Sequence, residues 1–154
     1  MSNPYLGLRN QVLESSRTAL GIPQPSSATE PWGVLMETGY ERGAATVVAL
    51  ADGNASIYLS NGGGFIGGQH HESVRTAATA MVHEAARHVR ALQPTTSFPL
   101  PEAGRTIFYV LTDSGVLTGS ASERALGERR HTLAPLFHAG QDVITRYRLI
   151  SESK

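Results

Sequence analysis

Five glycines, Gly62, Gly63, Gly64, Gly67 and Gly68, interrupted only by Phe65 and Ile66, run into Gln69, His70 and His71 and then into an alanine-rich stretch that begins at Glu72. Glycines let a main chain approach a ligand closely and turn its N–H groups inward, and a helix that follows adds partial positive charge at its N-terminus. Gln69, His70, His71 and Ser73 add side-chain donors, so residues 62–73 form the candidate ligand-binding stretch, with a small anion as the fitting ligand. The spacing matches neither the dinucleotide fingerprint nor the P-loop, since no Lys-Ser or Lys-Thr follows the glycines. Glu72 at the helix start would also compete with an anion for the same dipole. The competing reading is a plain connecting loop between an edge strand and a helix.

Other constellations lead away from catalysis. His83 and His88 flank Glu84, but their separation of five residues puts the two rings about 140° apart on a helix, unlike the i, i+4 pair of a zinc protease. Glu84 and His88 do share a face and are expected to pair. His70 and His71 with His131 or His138 would make a metal set only if the fold joined them. Ser114 and Ser120 lie near glycines without the nucleophile elbow. Tyr109 with Asp113 is a conceivable acid and base, yet strand alternation sends Tyr109 to the core. Arg124, Arg129, Arg130 and His131 form the one basic cluster, interleaved with Glu123 and Glu128 as a solvated face would be. No cysteine is present, which excludes disulfides, thiolate metal sites and a Cys nucleophile. No catalytic residue, metal or cofactor is therefore assigned.

These residues need a scaffold, and 154 residues with 40% hydrophobic side chains suffice for one domain with a real core. Formal net charge is zero, so nothing steers the whole chain toward nucleic acid or an anionic membrane. No apolar run approaches 18 residues and no secretory leader pattern opens the chain, which makes a cytoplasmic location the expectation. Residues 4–20 read as a helix with Leu6, Leu13 and Leu20, beside Tyr5, Val12 and Ala19, as its apolar stripe; residues 21–31 then form a tether. Strands are expected at 33–38, 45–50 and 55–60, the last two joined by Asp52-Gly53. The third strand alternates apolar with polar residues, as suits an edge with one wet face. A helix follows over 72–92, with Val74, Ala77, Ala78, Met81, Val82, Ala85, Val89 and Leu92 on its buried side. Ile107 to Leu111 is a continuous apolar run, the pattern of a central strand covered on both faces. Asp113-Ser114-Gly115 turns it into a fifth strand over 116–121, and a last helix starts near Thr132, with Gly140 inside it as a point of close packing.

The element order α-β-β-β-α-β-β-α predicts an α+β fold in which a five-stranded antiparallel sheet lies between helices over a 32–150 core. In that order the chain resembles the profilin-like and roadblock-like domains, small sheets sandwiched between helices. It departs from the roadblock pattern in having three strands before the middle helix and two after it, and no functional residue is transferred. The sequence then points to a non-enzymatic binding or regulatory module that acts through protein contacts, as a homodimer joined at the exposed third strand. The alternative is a small-molecule or anion-binding protein, an enzyme among the options, that uses residues 62–73; a nucleic-acid role ranks third and a membrane role is not expected.

Overall fold

The computed structural model describes residues 4–65 and 71–152. It is an α+β fold with an antiparallel sheet between helices. Helix α1 spans Pro4–Glu14 and is followed by strands β1 (Gly33–Tyr40), β2 (Gly43–Leu50), β3 (Ala55–Leu59) and β4 (Gly64–Phe65). Helix α2 covers Glu72–Ala86, a 3-10 turn Val89–Ala91, and then come β5 (Gln93–Thr95), β6 (Arg105–Thr112) and β7 (Gly115–Ser122). Two helices close the described chain, α3 (Glu123–Gly127) and α4 (Ala134–Glu152).

The sheet has seven strands rather than five, in the order β4-β3-β2-β1-β6-β7-β5, and every neighbouring pair is antiparallel. The two extra strands are short and come from stretches rich in Gly and Pro, where sequence patterning carries no strand signal. The third strand is consequently not an edge. Phe65 and Gly64 pair with Ile57 and Tyr58, and Leu59 bonds the turn on the same side, its N–H to the Gly63 carbonyl and its carbonyl to the Gly62 N–H. At the other edge β5 is three residues long with Pro94 in its middle. Short edges and edge prolines both discourage strand addition, so docking of a second copy on β3 loses its structural basis.

Strand alternation sorts the core into two clusters. Val34, Met36, Val47, Ala49, Phe108 and Val110 face α2 and α4, with Met81, Ala78 and Leu136 against them. Gly140 lies so close to β1 that a Cβ there would stand 2.6 Å from Met36 Sδ, which explains a glycine inside α4. Leu35, Val48, Tyr109 and Leu111 face the other way and meet Val12, Leu13, Ile22 and Trp32. The apolar run expected at a central strand is thus an interior strand, β6, with Phe108 to Leu111 all buried.

Helix α1 ends six residues earlier than expected, and its buried side is Tyr5, Arg9, Val12 and Leu13. Leu6, placed on the apolar stripe by the seven-residue spacing, is 38% exposed. The helix is turned so that Arg9 meets Glu37.

Candidate functional site

Among the expected ligand-binding residues, Gly67, Gly68, Gln69 and His70 lie outside the described residues. Gly62 and Gly63 form an exposed turn whose amides are engaged within it: Gly62 N–H donates to the Leu59 carbonyl at 2.9 Å and Gly63 N–H to Asn61 Oδ1 at 3.1 Å. Gly64 pairs with Tyr58 at φ 155°, and a Cβ on it would meet the Ile57 carbonyl oxygen at 2.2 Å. The glycines that are described therefore serve the β3–β4 turn. His71 stands at the N-cap of α2 without a side-chain capping bond, and exposed Ser73 follows in the first turn with Glu72.

Remaining sequence candidates disperse. His88 Nε2 and Glu84 Oε2 are 2.9 Å apart, the expected i, i+4 pair. His131 Nδ1 accepts from the Leu133 N–H, and His138 packs edge-on against Phe137. Among the described residues no three His, Asp or Glu side chains are grouped so as to hold a metal ion. Arg124 and Arg130 both grip Glu128 at 2.9 Å, holding that carboxyl below its usual range through Arg124 first, in the solvated arrangement expected of this stretch. Tyr109 and Asp113 go to different partners, the Pro99 carbonyl and Arg17.

The structure brings together a charged cluster that the sequence reading missed. Arg9 and Glu37 are 3% and 0% exposed, and they face each other through two bonds, Nε to Oε2 at 2.5 Å and Nη2 to Oε1 at 2.9 Å. Thr46 donates to Glu37 Oε2 at 2.8 Å, with the Tyr5 hydroxyl 2.6 Å from Thr46 Oγ1. Arg9 Nη2 also donates to the Phe98 carbonyl at 2.6 Å, and its guanidinium lies over the Tyr109 ring. Burial opposes the Arg9 charge, but the hydrogen bond and charge of Glu37 outweigh it and hold the group above its ordinary value. Burial, followed by the Glu37 charge, pushes Tyr109 up to about 12. The signal in the sequence is a charge at a buried phase in each of two apolar elements, Arg9 four residues after Tyr5 and Glu37 two after Leu35. Fully bonded in this way, the cluster is a clamp fixing α1 and the 98–99 segment to the sheet.

Beside that clamp lies a cleft of about 470 Å3. Its floor is the α1-side face of β6 and β7, with Ile107 and Tyr109 next to Thr118 and Ser120, and its rim carries Gln93, Thr95 and Ser97. The lining residues are rich in hydroxyls and carry no charge themselves, while the Arg105 guanidinium reaches one end, its Nη2 donating to Ser120 Oγ at 3.4 Å. β5 pairs with β7 only from Val116 to Thr118. Glu123 N–H bonds the Gly104 carbonyl, and the alternation of an antiparallel ladder then turns the main-chain groups of Ser120 away from β6, toward the side where β5 is absent. Finding this cleft requires the strand order, which local patterning does not carry. Comparison with models of known protein families, with curated proteins and with solved structures gives no match to this chain.

Proposed function

We propose that the chain is a non-enzymatic binding module that acts through protein contacts, and that its partner lies as an extended segment along the open half of the sheet over β6 and β7. One observation carries this reading: among the described residues no strand pairs with β7 past Thr118 on its side away from β6, while its α1-side face lines a hydroxyl-rich cleft. Unpaired main-chain groups at a strand edge give an extended peptide its affinity, and the pockets beside them give side-chain selectivity. A lining rich in hydroxyls beside unpaired main-chain groups suits a peptide main chain. Among the described residues no helix is long and apolar enough to cross a membrane.

Selection of a random-peptide display library on the wild-type chain tests the assignment, with Ser120→Pro as the discriminating variant. Because the Ser120 N–H points away from β6, proline removes an outward donor without taking a bond from the β6–β7 ladder. Recovered peptides should bind Ser120→Pro at least about tenfold more weakly, a loss of ~1.4 kcal/mol. Equal binding to both chains would move the contact surface elsewhere. Light scattering on the same pair shows whether a second copy of the chain is the partner: self-association abolished in Ser120→Pro places it in the cleft.

A further inference from the structure

Arg105 opens β6 at the end of the cleft away from β5, and it is exposed. Strand alternation puts it on the same face as Ile107 and Tyr109, which floor the cleft. A guanidinium carries five N–H donors. Among the described residues the side chain of Arg105 makes one hydrogen bond, the long contact of Nη2 with Ser120 Oγ at 3.4 Å. None of the ion pairs among those residues involves it. Its charge is therefore uncompensated by a contacting carboxylate, and most of its donors are open. Ser120 stands on β7 opposite Ile107, so the same contact leans the Arg105 side chain over β7, toward the edge left unpaired past Thr118. A strand added at that edge lies ~4.8 Å beyond β7, within reach of a glutamate side chain that turns back over it.

We propose that the segment bound along β7 is acidic, with one carboxylate side chain on its α1-side face seated on Arg105; this rests on the reading of the cleft as a groove for an extended peptide. Guanidinium and carboxylate match in shape as well as charge, since two parallel N–H groups can meet two oxygens. A neutral segment would leave the guanidinium to water, and a basic one would set like charge against it. In an extended segment only every second side chain points to the α1-side face. The acid is thus confined to one phase of the alternation, and the uncharged residues that line the rest of the cleft call for no second charge.

The probe is a display library of six random residues between fixed Gly-Ser flanks, which keep chain termini away from the cleft. It is selected at low salt on the wild type, Arg105→Gln, Arg105→Glu and Ser120→Pro. The Arg105 variants keep the β6–β7 ladder, which that residue joins through its main chain, and their melting temperatures should match the wild type's. Peptides recovered on the wild type should share Asp or Glu at one aligned position. Replacing that acid by its amide should weaken binding up to about fivefold, the factor an exposed ion pair supplies, and the loss should shrink as salt is raised. On Arg105→Gln the acid and its amide should bind alike; on Arg105→Glu the position should turn to Lys or Arg. Ser120→Pro should lose the peptides whatever their charge. Peptides that need Ser120 but show no acidic position, or whose acid is indifferent to Arg105, would overturn this inference and leave the cleft reading standing. An acidic preference that needs Arg105 but persists in Ser120→Pro would mark a charged patch apart from the strand edge, and would remove the cleft reading and this inference together.

Discussion

Arg9 and Glu37 show how far one buried pair can organise a small fold. Removing one member of a buried, hydrogen-bonded ion pair leaves the other desolvated and unpaired, at a cost of ~3–5 kcal/mol, whereas replacing both with apolar residues is often nearly neutral. Arg9→Met should therefore lose several kcal/mol in urea unfolding, and Arg9→Met with Glu37→Leu should recover most of it. Equal losses in the single and double variants would show that α1 is held by its apolar contacts alone. Alkaline pH probes the same clamp. Tyr109 is buried with its folded value at about 12, above the ordinary tyrosine value of about 10, so the folded state holds the phenolic proton more tightly than the unfolded chain. Stability contributed by that proton is complete below about pH 10 and is lost as pH rises through about 12. Tyr109→Phe should flatten the fall over that window, measured by thermal melts. In the sequence both charges of the clamp are visible, but a helix at 4–14 and a strand at 33–40 lie too far apart for any periodicity to pair them. The burial of Tyr109 was legible from its place in the 107–111 run; its hydroxyl contact with Pro99 was not.

Elements show a similar division. Long periodic segments are legible because their apolar spacing fixes type and face: α2 buries Val74, Ala77, Ala78, Met81, Val82 and Ala85 of its stripe, but it ends at Ala86, so half-buried Val89 falls in the 3-10 turn and Leu92 beyond it. Two-residue and three-residue strands escape that logic, since β4 and β5 exist only through the partner each lies against. Gly64, a ligand-approach candidate by its sequence, brings β4 against β3. Gly64→Ala puts a Cβ 2.2 Å from a main-chain oxygen and imposes φ 155° on a residue that avoids it. Pairing at β4 should fail, and the Leu59 amide, bonded to the Gly63 carbonyl, should exchange its hydrogen much faster while β1 and β6 amides keep their protection. Gly140→Ala tests the opposite case, a glycine whose neighbour is a flexible side chain. Helix propensity favours the change by ~1 kcal/mol, and overpacking against Met36 opposes it by ~1–3 kcal/mol. Net destabilisation is expected, and it should reverse in Gly140→Ala with Met36→Val, where the crowding sulfur is gone.

On the scale of the whole molecule, the two faces of the sheet are unequally covered. α2 and α4 roof one face from β3 to β7, with Gly119 and Ala121 of β7 tucked under Leu92 and Leu133. On the other, α1 and the 22–32 segment cover β6 and reach β7 only at Val116, leaving Thr118 and Ser120 on the floor of the cleft. Local patterning foretells a sheet between helices; it cannot foretell which half lies open, because that depends on β1 pairing with β6 at sequence separations of 68 or more. Two lysine substitutions compare the faces directly. Ala78 is fully buried between α2 and the sheet, so Ala78→Lys must either bury an unpaired ammonium or open the helix, and a loss of several kcal/mol is expected. Ser120→Lys adds the same charge at an exposed position on the other face and should shift unfolding by no more than about 0.5 kcal/mol. The same Ser120→Lys chain should bind the peptides selected on the wild type poorly, since a long side chain then projects from the floor of the cleft beside Arg105. A chain that keeps its fold and loses its peptides isolates contact from stability; one that keeps both would show that the open half of the sheet is simply a solvated surface.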